Sequence, residues 1–282
     1  MTGTLHVVAT PIGNLEDITL RALRVLREVD VIAAEDTRRT AKLLSHHGIS
    51  TPTVSFHEHN AHTRIPQLIS RLTRGESIAV VSDAGTPGVA DPGLDLVQAC
   101  INGGIPVDPV PGASALLTAL VASGFPAAPV KFLGFVPNRV KDRTVFWSTV
   151  SAEKSTVVFF EAPHRIQPTL REAAGYLGIR LLCVGRELTK MHQEFLRGTA
   201  GELAERLNEP RGEFTIVVGP VSPAAEIGLE LPETDGLSVE FRQLTETEGF
   251  SRREAITQLA RKYDRSSREV YARLEAAKNR VS

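Results

Sequence analysis

Residues 77–93 read Ser-Ile-Ala-Val-Val-Ser-Asp-Ala-Gly-Thr-Pro-Gly-Val-Ala-Asp-Pro-Gly, a strand and the loop that leaves it. Ile78 to Val81 form an unbroken apolar run, as expected of a strand covered on both faces in a parallel sheet. Ser82 to Gly93 then place three glycines, two prolines and two aspartates in a dozen residues. A plain connection needs only about two to six residues. Glycine lets backbone amides approach a ligand closely, and proline keeps an empty loop from collapsing. The segment therefore predicts a parallel sheet with a ligand loop at the end of a strand.

Outward from it, strand-like runs at 5–9, 29–34, 53–56 and 107–110 alternate with helical patterns at 19–28, 37–46, 62–74, 92–102 and 113–123. Alternation of this kind gives a βαβ series, and ligands of such sheets bind outside the carboxyl ends of the strands. Three further loops leave those ends. Thr10-Pro11-Ile12-Gly13-Asn14-Leu15 fixes one dihedral and frees another; Glu35-Asp36-Thr37-Arg38-Arg39 places two acids at a helix entrance, with Asp36 suited to cap it. Pro111-Gly112-Ala113-Ser114-Ala115 runs into a helix whose N-terminus favours an anion.

Gly124-Phe125-Pro126-Ala127-Ala128-Pro129 interrupts the rhythm. A second, less regular α/β series follows, with strands expected at 131–135, 156–161, 181–184, 195–197 and 214–219 and helices near 165–176 and 201–207. The expected domains are 1–123, 124–225 and an appendage at 226–282. Within the appendage, 226–248 carries seven acids and one arginine, and 249–282 carries nine bases and four acids. Ser251/Glu254 and Ser266/Glu269 have capping-box spacing, so an acidic linker and two short helices are expected. Their apolar faces would be Ala255, Ile256, Leu259 and Ala260, then Val270, Tyr271, Leu274 and Ala277. Such a tail is either a packed cap or an RNA contact.

The 282 residues carry a formal charge of −1, so no global field draws the protein to a polyanion and any such binding is local. Cys100 and Cys183 cannot build a disulfide framework or a four-sulfur zinc site, and no window approaches a membrane span of about 18 apolar residues. A cytoplasmic protein without membrane contact is expected. Neither a P-loop nor a G-x-G-x-x-G fingerprint follows the first strand, which disfavours nucleotide hydrolysis and hydride transfer. Five of the eight histidines fall between His46 and His62. No cysteine or second carboxylate cluster joins them, so they are expected to line a polar cleft and no metal is expected.

Nine segments in order, TPIGNLEDITLRAL (10–23), AEDTRRT (34–40), SFHEHN (55–60), VSDAGTPGVADPG (81–93), PGASA (111–115), GFVP (134–137), FFEAPHR (159–165), GRELTK (185–190) and GEFTIVVGP (212–220), resemble the bacterial ribosomal RNA small subunit methyltransferase I family of the tetrapyrrole methylase superfamily. The resemblance implies two α/β domains of the tetrapyrrole methylase type with S-adenosylmethionine in the inter-domain cleft, usually as a homodimer, plus a short C-terminal helical tail. It implies methylation of the ribose 2′-oxygen of a cytidine in the decoding centre of 16S ribosomal RNA within the small subunit. Carried over by motif, the cofactor contacts are Asp83, Ala84, Gly85, Val89, Ala90, Ser114, Ala115, Phe160, Glu161, Leu188, Thr189, Glu213 and Thr215. A ribose hydroxyl is a poor acid, so a base or water path must take its proton. Asp36, His57 and Glu58 are the candidates, with Arg38, Asn60 and Arg165 as positioners of phosphate or ribose. The rival functions are methylation of a corrin or porphyrin precursor and a non-catalytic role in ribosome assembly.

Overall fold

The computed structural model describes residues 2–89, 93–207, 211–221, 234–247, 250–263 and 265–278. It divides into two compact units, Met1–Ala119 with Arg186–Glu194, and Leu120–Gly185 with Phe195–Ser282.

The first unit holds strands β1 (Leu5–Val8), β2 (Val31–Ala34), β3 (Thr53–Ser55), β4 (Ile78–Val81) and β5 (Val107–Val110). They form one parallel sheet in the order β3-β2-β4-β1-β5. Between them run α1 (Leu20–Glu28), α2 (Thr37–His46), α3 (Ala61–Thr73) and α4 (Leu94–Asn102), and α5 (Ala115–Ser123) follows β5. Successive strand residues face opposite sides, so Ile78 and Val80 join one core with Leu5, Phe56, Leu72 and Leu96, while Ala79 and Val81 join another with Val8, Leu26 and Ile32. The apolar run that suggested burial on both faces has it. β2 starts at Val31 rather than 29 because the Val29 amide still closes α1 on the Val25 carbonyl. α4 starts at Leu94, with Gly93 as its cap residue. A Cβ on Gly112 would lie 2.9 Å from the Ala9 Cβ, so glycine is what lets the turn after β5 pack against the end of β1.

The second unit has β6 (Val130–Phe135), α6 (Val140–Ala152), β7 (Thr156–Glu161), α7 (Ile166–Leu177), β8 (Leu181–Arg186), β9 (Glu194–Thr199), α8 (Ala200–Arg206) and β10 (Phe214–Val218). Strand order is β6-β7-β10-β8-β9, with β6 parallel and β10 antiparallel to β7. Its core gathers Phe146, Trp147, Phe159, Ile166, Leu170, Phe214 and Ile216. The periodicity did not show α6, because exposed Val140 and Val145 blur the stripe formed by buried Phe146, Trp147 and Val150.

The appendage differs from expectation. Part of the acidic stretch is helical, α9 (Thr234–Arg242) running into a π-helical turn at Gln243–Thr247, and it is followed by α10 (Arg252–Tyr263) and α11 (Ser267–Lys278). Leu237 of α9 shares a core with Leu259, Ala260, Tyr263, Val270 and Leu274, so three helices replace the expected two and a linker. Both capping boxes form: the Ser251 amide donates to Glu254 Oε2 at 2.9 Å and the Ser266 amide to Glu269 Oε2 at 2.9 Å, each glutamate amide donating back to the serine hydroxyl. Tyr271 leaves the expected apolar face and lies exposed under the Arg252 guanidinium, 5.7 Å from the ring centre. The Ala277 side chain lies outside what is described. Among the described residues no helix is long and apolar enough to cross a membrane.

Candidate active site

At the carboxyl ends of β1 and β4, the Thr10 amide donates to the Gly85 carbonyl at 2.9 Å and the Gly85 amide returns the bond at 3.0 Å. The Thr10 hydroxyl donates to the Ser82 carbonyl at 3.0 Å. These bonds hold Gly85 at φ +86°, in the left-handed region. A Cβ there would stand 3.5 Å from Ile12 and 3.7 Å from the Ala113 carbonyl, ordinary contacts. The demand for glycine is therefore conformational, and β-branched residues at positive φ are outliers. Gly85→Val is expected to shift the Asp83–Gly85 backbone at a strain of roughly 1–3 kcal/mol and to weaken about tenfold or more any binding of the S-adenosylmethionine that the resemblance assigns to this loop. Calorimetric titration of the folded variant checks this, and unchanged affinity would move the pocket elsewhere.

The acidic loop after β2 is tied to the same place. The Asp36 amide donates to Asp83 Oδ1 at 3.0 Å, the Asp83 amide donates to Glu35 Oε2 at 3.0 Å, and Arg39 stands 3.4 Å from Asp83 Oδ2. Asp36 caps α2 by accepting from the Arg38 amide at 2.8 Å and also pairs with the Arg38 guanidinium. Those hydrogen bonds, the side-chain one foremost, hold its carboxyl down at about 2. A carboxylate so stabilised is a weak proton acceptor.

A cleft of about 590 Å³ opens beside this loop, lined by Glu35, His57, Glu58, His59 and Val89 among others. Asn60 braces His57. Its Oδ1 accepts from the His57 amide at 2.9 Å, which turns its Nδ2 toward the Ser55 hydroxyl at 3.1 Å and His57 Nε2 at 3.2 Å. With an amide N–H pointing at Nε2, the neutral ring carries its proton on Nδ1. That nitrogen is buried without a partner, so His57 has no ring nitrogen free to accept, and Asn60, expected to meet the substrate, has its amide engaged internally. The His57 and His59 ring centres are 6.0 Å apart. Among the described residues no group of three His, Cys, Asp or Glu side chains is placed to hold a metal ion.

Leu188 and Thr189 are brought to the Thr10–Leu15 loop within the same unit. The Asn14 amide donates to the Thr189 hydroxyl at 3.0 Å, and a Cβ on Gly13 would collide with the Leu188 carbonyl at 2.9 Å. Among the described residues, Glu187 and Thr189 are the non-glycine residues at positive φ, +50° and +65°. Such strain persists only where surroundings over-determine it, and it clusters at functional sites. Nothing in the linear order places residue 189 beside residue 14. Ser114 caps α5, its hydroxyl accepting from the Leu117 amide at 3.4 Å, with Ala115 next in line. Ala84 is half-buried and Val89 exposed beside Gly85, and Ala90 lies outside the described residues.

In the second unit, register separates residues that adjacency suggested would act together. Thr215 pairs with Phe160, and Phe214 with Glu161. Phe160 and Thr215 therefore share one face, where Phe160 packs edge-on against Phe132 and Phe135 at 5.0 and 5.4 Å. Glu161 turns to the other face. Its carboxylate, fully buried, accepts from the Thr169 hydroxyl at 2.6 Å and the Ala162 amide at 2.7 Å, and pairs with Arg165 at 2.6 Å. Arg165 also donates to the Val136 carbonyl at 2.9 Å and to Asn138. The side chains of Glu161 and Arg165, expected at ligands, instead hold each other. Glu213 is exposed just before β10.

Residues 4–204 match the family model for tetrapyrrole (corrin/porphyrin) methylases. A relative from Halalkalibacterium halodurans, ribosomal RNA small subunit methyltransferase I, is 45% identical over 275 residues, 95% of this chain and 93% of its own. The protein of the same name from Thermotoga maritima is 48% identical over 218 residues, 77% of this chain and 98% of its own, which leaves it too short for a counterpart of the whole appendage. In fold, the chain is similar to uroporphyrin-III C-methyl transferase from Thermus thermophilus complexed with S-adenyl homocysteine, with TM-score 0.56 and 18% identity over 77% of this chain and 97% of that one. The loops that hold Thr10, Asp36, Gly85 and Thr189 thus sit on a framework shared with methylases, and the chain belongs to the tetrapyrrole methylase family and, within it, to the ribosomal RNA small subunit methyltransferases I.

Proposed function

We infer that the protein transfers a methyl group from S-adenosylmethionine to small-subunit ribosomal RNA, and specifically to the ribose 2′-oxygen of a cytidine in the decoding centre of 16S RNA. The observation that carries this reading is the 45% identity along 95% of the chain to a protein named for small-subunit RNA methylation. Likeness to a fold that holds S-adenyl homocysteine supports the cofactor. The glycine loop is compatible with such a ligand: Gly85, held at φ +86° by its backbone bonds to Thr10, puts no side chain between the loop backbone and a bound molecule. In the first unit Asp83, Ala84, Gly85, Val89, Ala90, Ser114, Ala115, Leu188 and Thr189 would hold the cofactor. Phe160, Glu213 and Thr215 of the second unit are the further contacts that the resemblance implies.

The cofactor supplies an activated methyl group, and the protein's own task is to hold the hydroxyl in line at near-attack distance and receive its proton. The cleft bounded by His57 and Glu58 is where the ribose would enter, and Arg38, whose side chain is exposed, would meet phosphate. We take the protein to act in the cytoplasm on the assembled small subunit, as a homodimer. After incubation with labelled cofactor and small subunits lacking the modification, nucleoside digests should carry the label in 2′-O-methylcytidine. Label on a base would contradict the ribose assignment and leave the broader reading intact.

A further inference from the structure

We propose that Glu35 is the proton acceptor of the methyl transfer, an inference that rests on the 2′-oxygen reading above. Glu35 is the first residue beyond β2, and its amide still donates to the Val81 carbonyl at 3.3 Å. This places it against the root of the glycine-rich loop. Its Oε2 accepts from the Asp83 amide at 3.0 Å, and Glu35 lines the cleft with His57, Glu58 and Val89. One oxygen is thus anchored to the backbone of the loop assigned to the cofactor. The other has no hydrogen-bond partner among the described residues.

The competing groups are otherwise engaged. Asp36 is the α2 cap, bound to Arg38 by its amide and its guanidinium. His57 has Asn60 Nδ2 against Nε2, and its Nδ1 is buried without a partner. In the tautomer that Asn60 selects, that nitrogen already bears a proton and can only donate. Glu58 shares the cleft but is exposed and makes no bond that would aim it. His59 and Asp95 also line the cleft but are exposed and held by no hydrogen bond, so among the described residues of the cleft Glu35 alone combines a fixed position, an available oxygen and a bond to the glycine-rich loop. In the step itself the oxygen–methyl bond forms as the sulfur–methyl bond breaks with its electron pair left on sulfur. The hydroxyl proton passes to the Glu35 carboxylate and then to water.

Glu35→Gln separates this role from a purely structural one, since a glutamine oxygen can still accept from the Asp83 amide but is not basic. The expected result is a fall in kcat of about 100- to 10,000-fold, with S-adenosylmethionine affinity and small-subunit affinity each within about threefold of wild type. Cofactor titration of the same sample reports whether the variant is folded. Glu35→Asp, which keeps a carboxylate one methylene short, should exceed Glu35→Gln in kcat by about tenfold or more. Equal rates for wild type and Glu35→Gln, equal rates for the Asp and Gln variants, or loss of cofactor binding in step with kcat would each overturn the assignment. A wild-type protein that labels no small subunits would refute the underlying reading and this inference with it, whereas an active wild type beside an equally active Glu35→Gln refutes the inference alone.

Discussion

Replacing Glu161 with alanine is expected to destabilise the protein by about 3 kcal/mol, the low end of what breaking a buried ion pair costs. The carboxylate is fully buried and satisfied by Arg165, Thr169 and the Ala162 amide. Its removal strands a mostly buried guanidinium, a hydroxyl and a backbone amide together. For a unit of this size the loss corresponds to about 6–12 °C in the unfolding midpoint. The double variant Glu161→Leu with Arg165→Met should lose less than the single, because replacing both partners by apolar groups leaves no uncompensated charge. Thermal unfolding of the three proteins, with cofactor titration below the transition, checks both points. A stable Glu161→Ala protein with lost cofactor affinity would return Glu161 to the ligand site.

Removing the appendage is expected to weaken small-subunit binding and flatten its salt dependence while leaving cofactor affinity nearly unchanged. Residues 1–225 carry equal numbers of bases and acids, and 249–282 carry the excess of five positive charges. Leu237 of α9 shares a core with α10 and α11, so a cut at 249 would strand an apolar face and the truncation belongs after Val221. Arg252 is paired with Glu275, which leaves Arg253, Arg268 and Arg273, among the described side chains, as exposed candidates for phosphate contacts. At roughly 0.7–0.9 per contact, three such contacts make the logarithmic salt slope about two to three units steeper in the full-length protein. Equal slopes and affinities for both proteins would make the appendage a structural cap and turn attention to Arg38 and Arg39. The shorter Thermotoga maritima relative is consistent with an α/β portion that stands without the whole of it.

The first unit was legible because its signals are local. Buried β-branched runs, capping residues such as Asp36, and glycine–proline loops each declare themselves within a dozen residues, and the parallel sheet follows from their alternation. The second unit was harder to read. α6 hides among exposed valines, and the opposite orientation of Phe160 and Glu161 emerges only when strand parity is applied to residues that a shared motif had grouped. Contacts distant in sequence left no trace: Thr189 meets Asn14 through a loop strained at positive φ. Glu35 is masked in the sequence for a different reason. Its neighbour Asp36 has the stronger capping signature, and only the geometry shows that capping consumes Asp36 while Glu35 faces the cleft.

The most direct measurement is an acceptor comparison. Protein and labelled S-adenosylmethionine are incubated in parallel with small ribosomal subunits lacking the modification, bare 16S RNA and a porphyrinogen mixture, and each acceptor is isolated and counted. The account predicts label in the RNA of the small subunits, at close to one methyl group per subunit, and none in the porphyrinogens. Label in the porphyrinogens with none in RNA, or no transfer to any acceptor by protein that binds the cofactor, would contradict it.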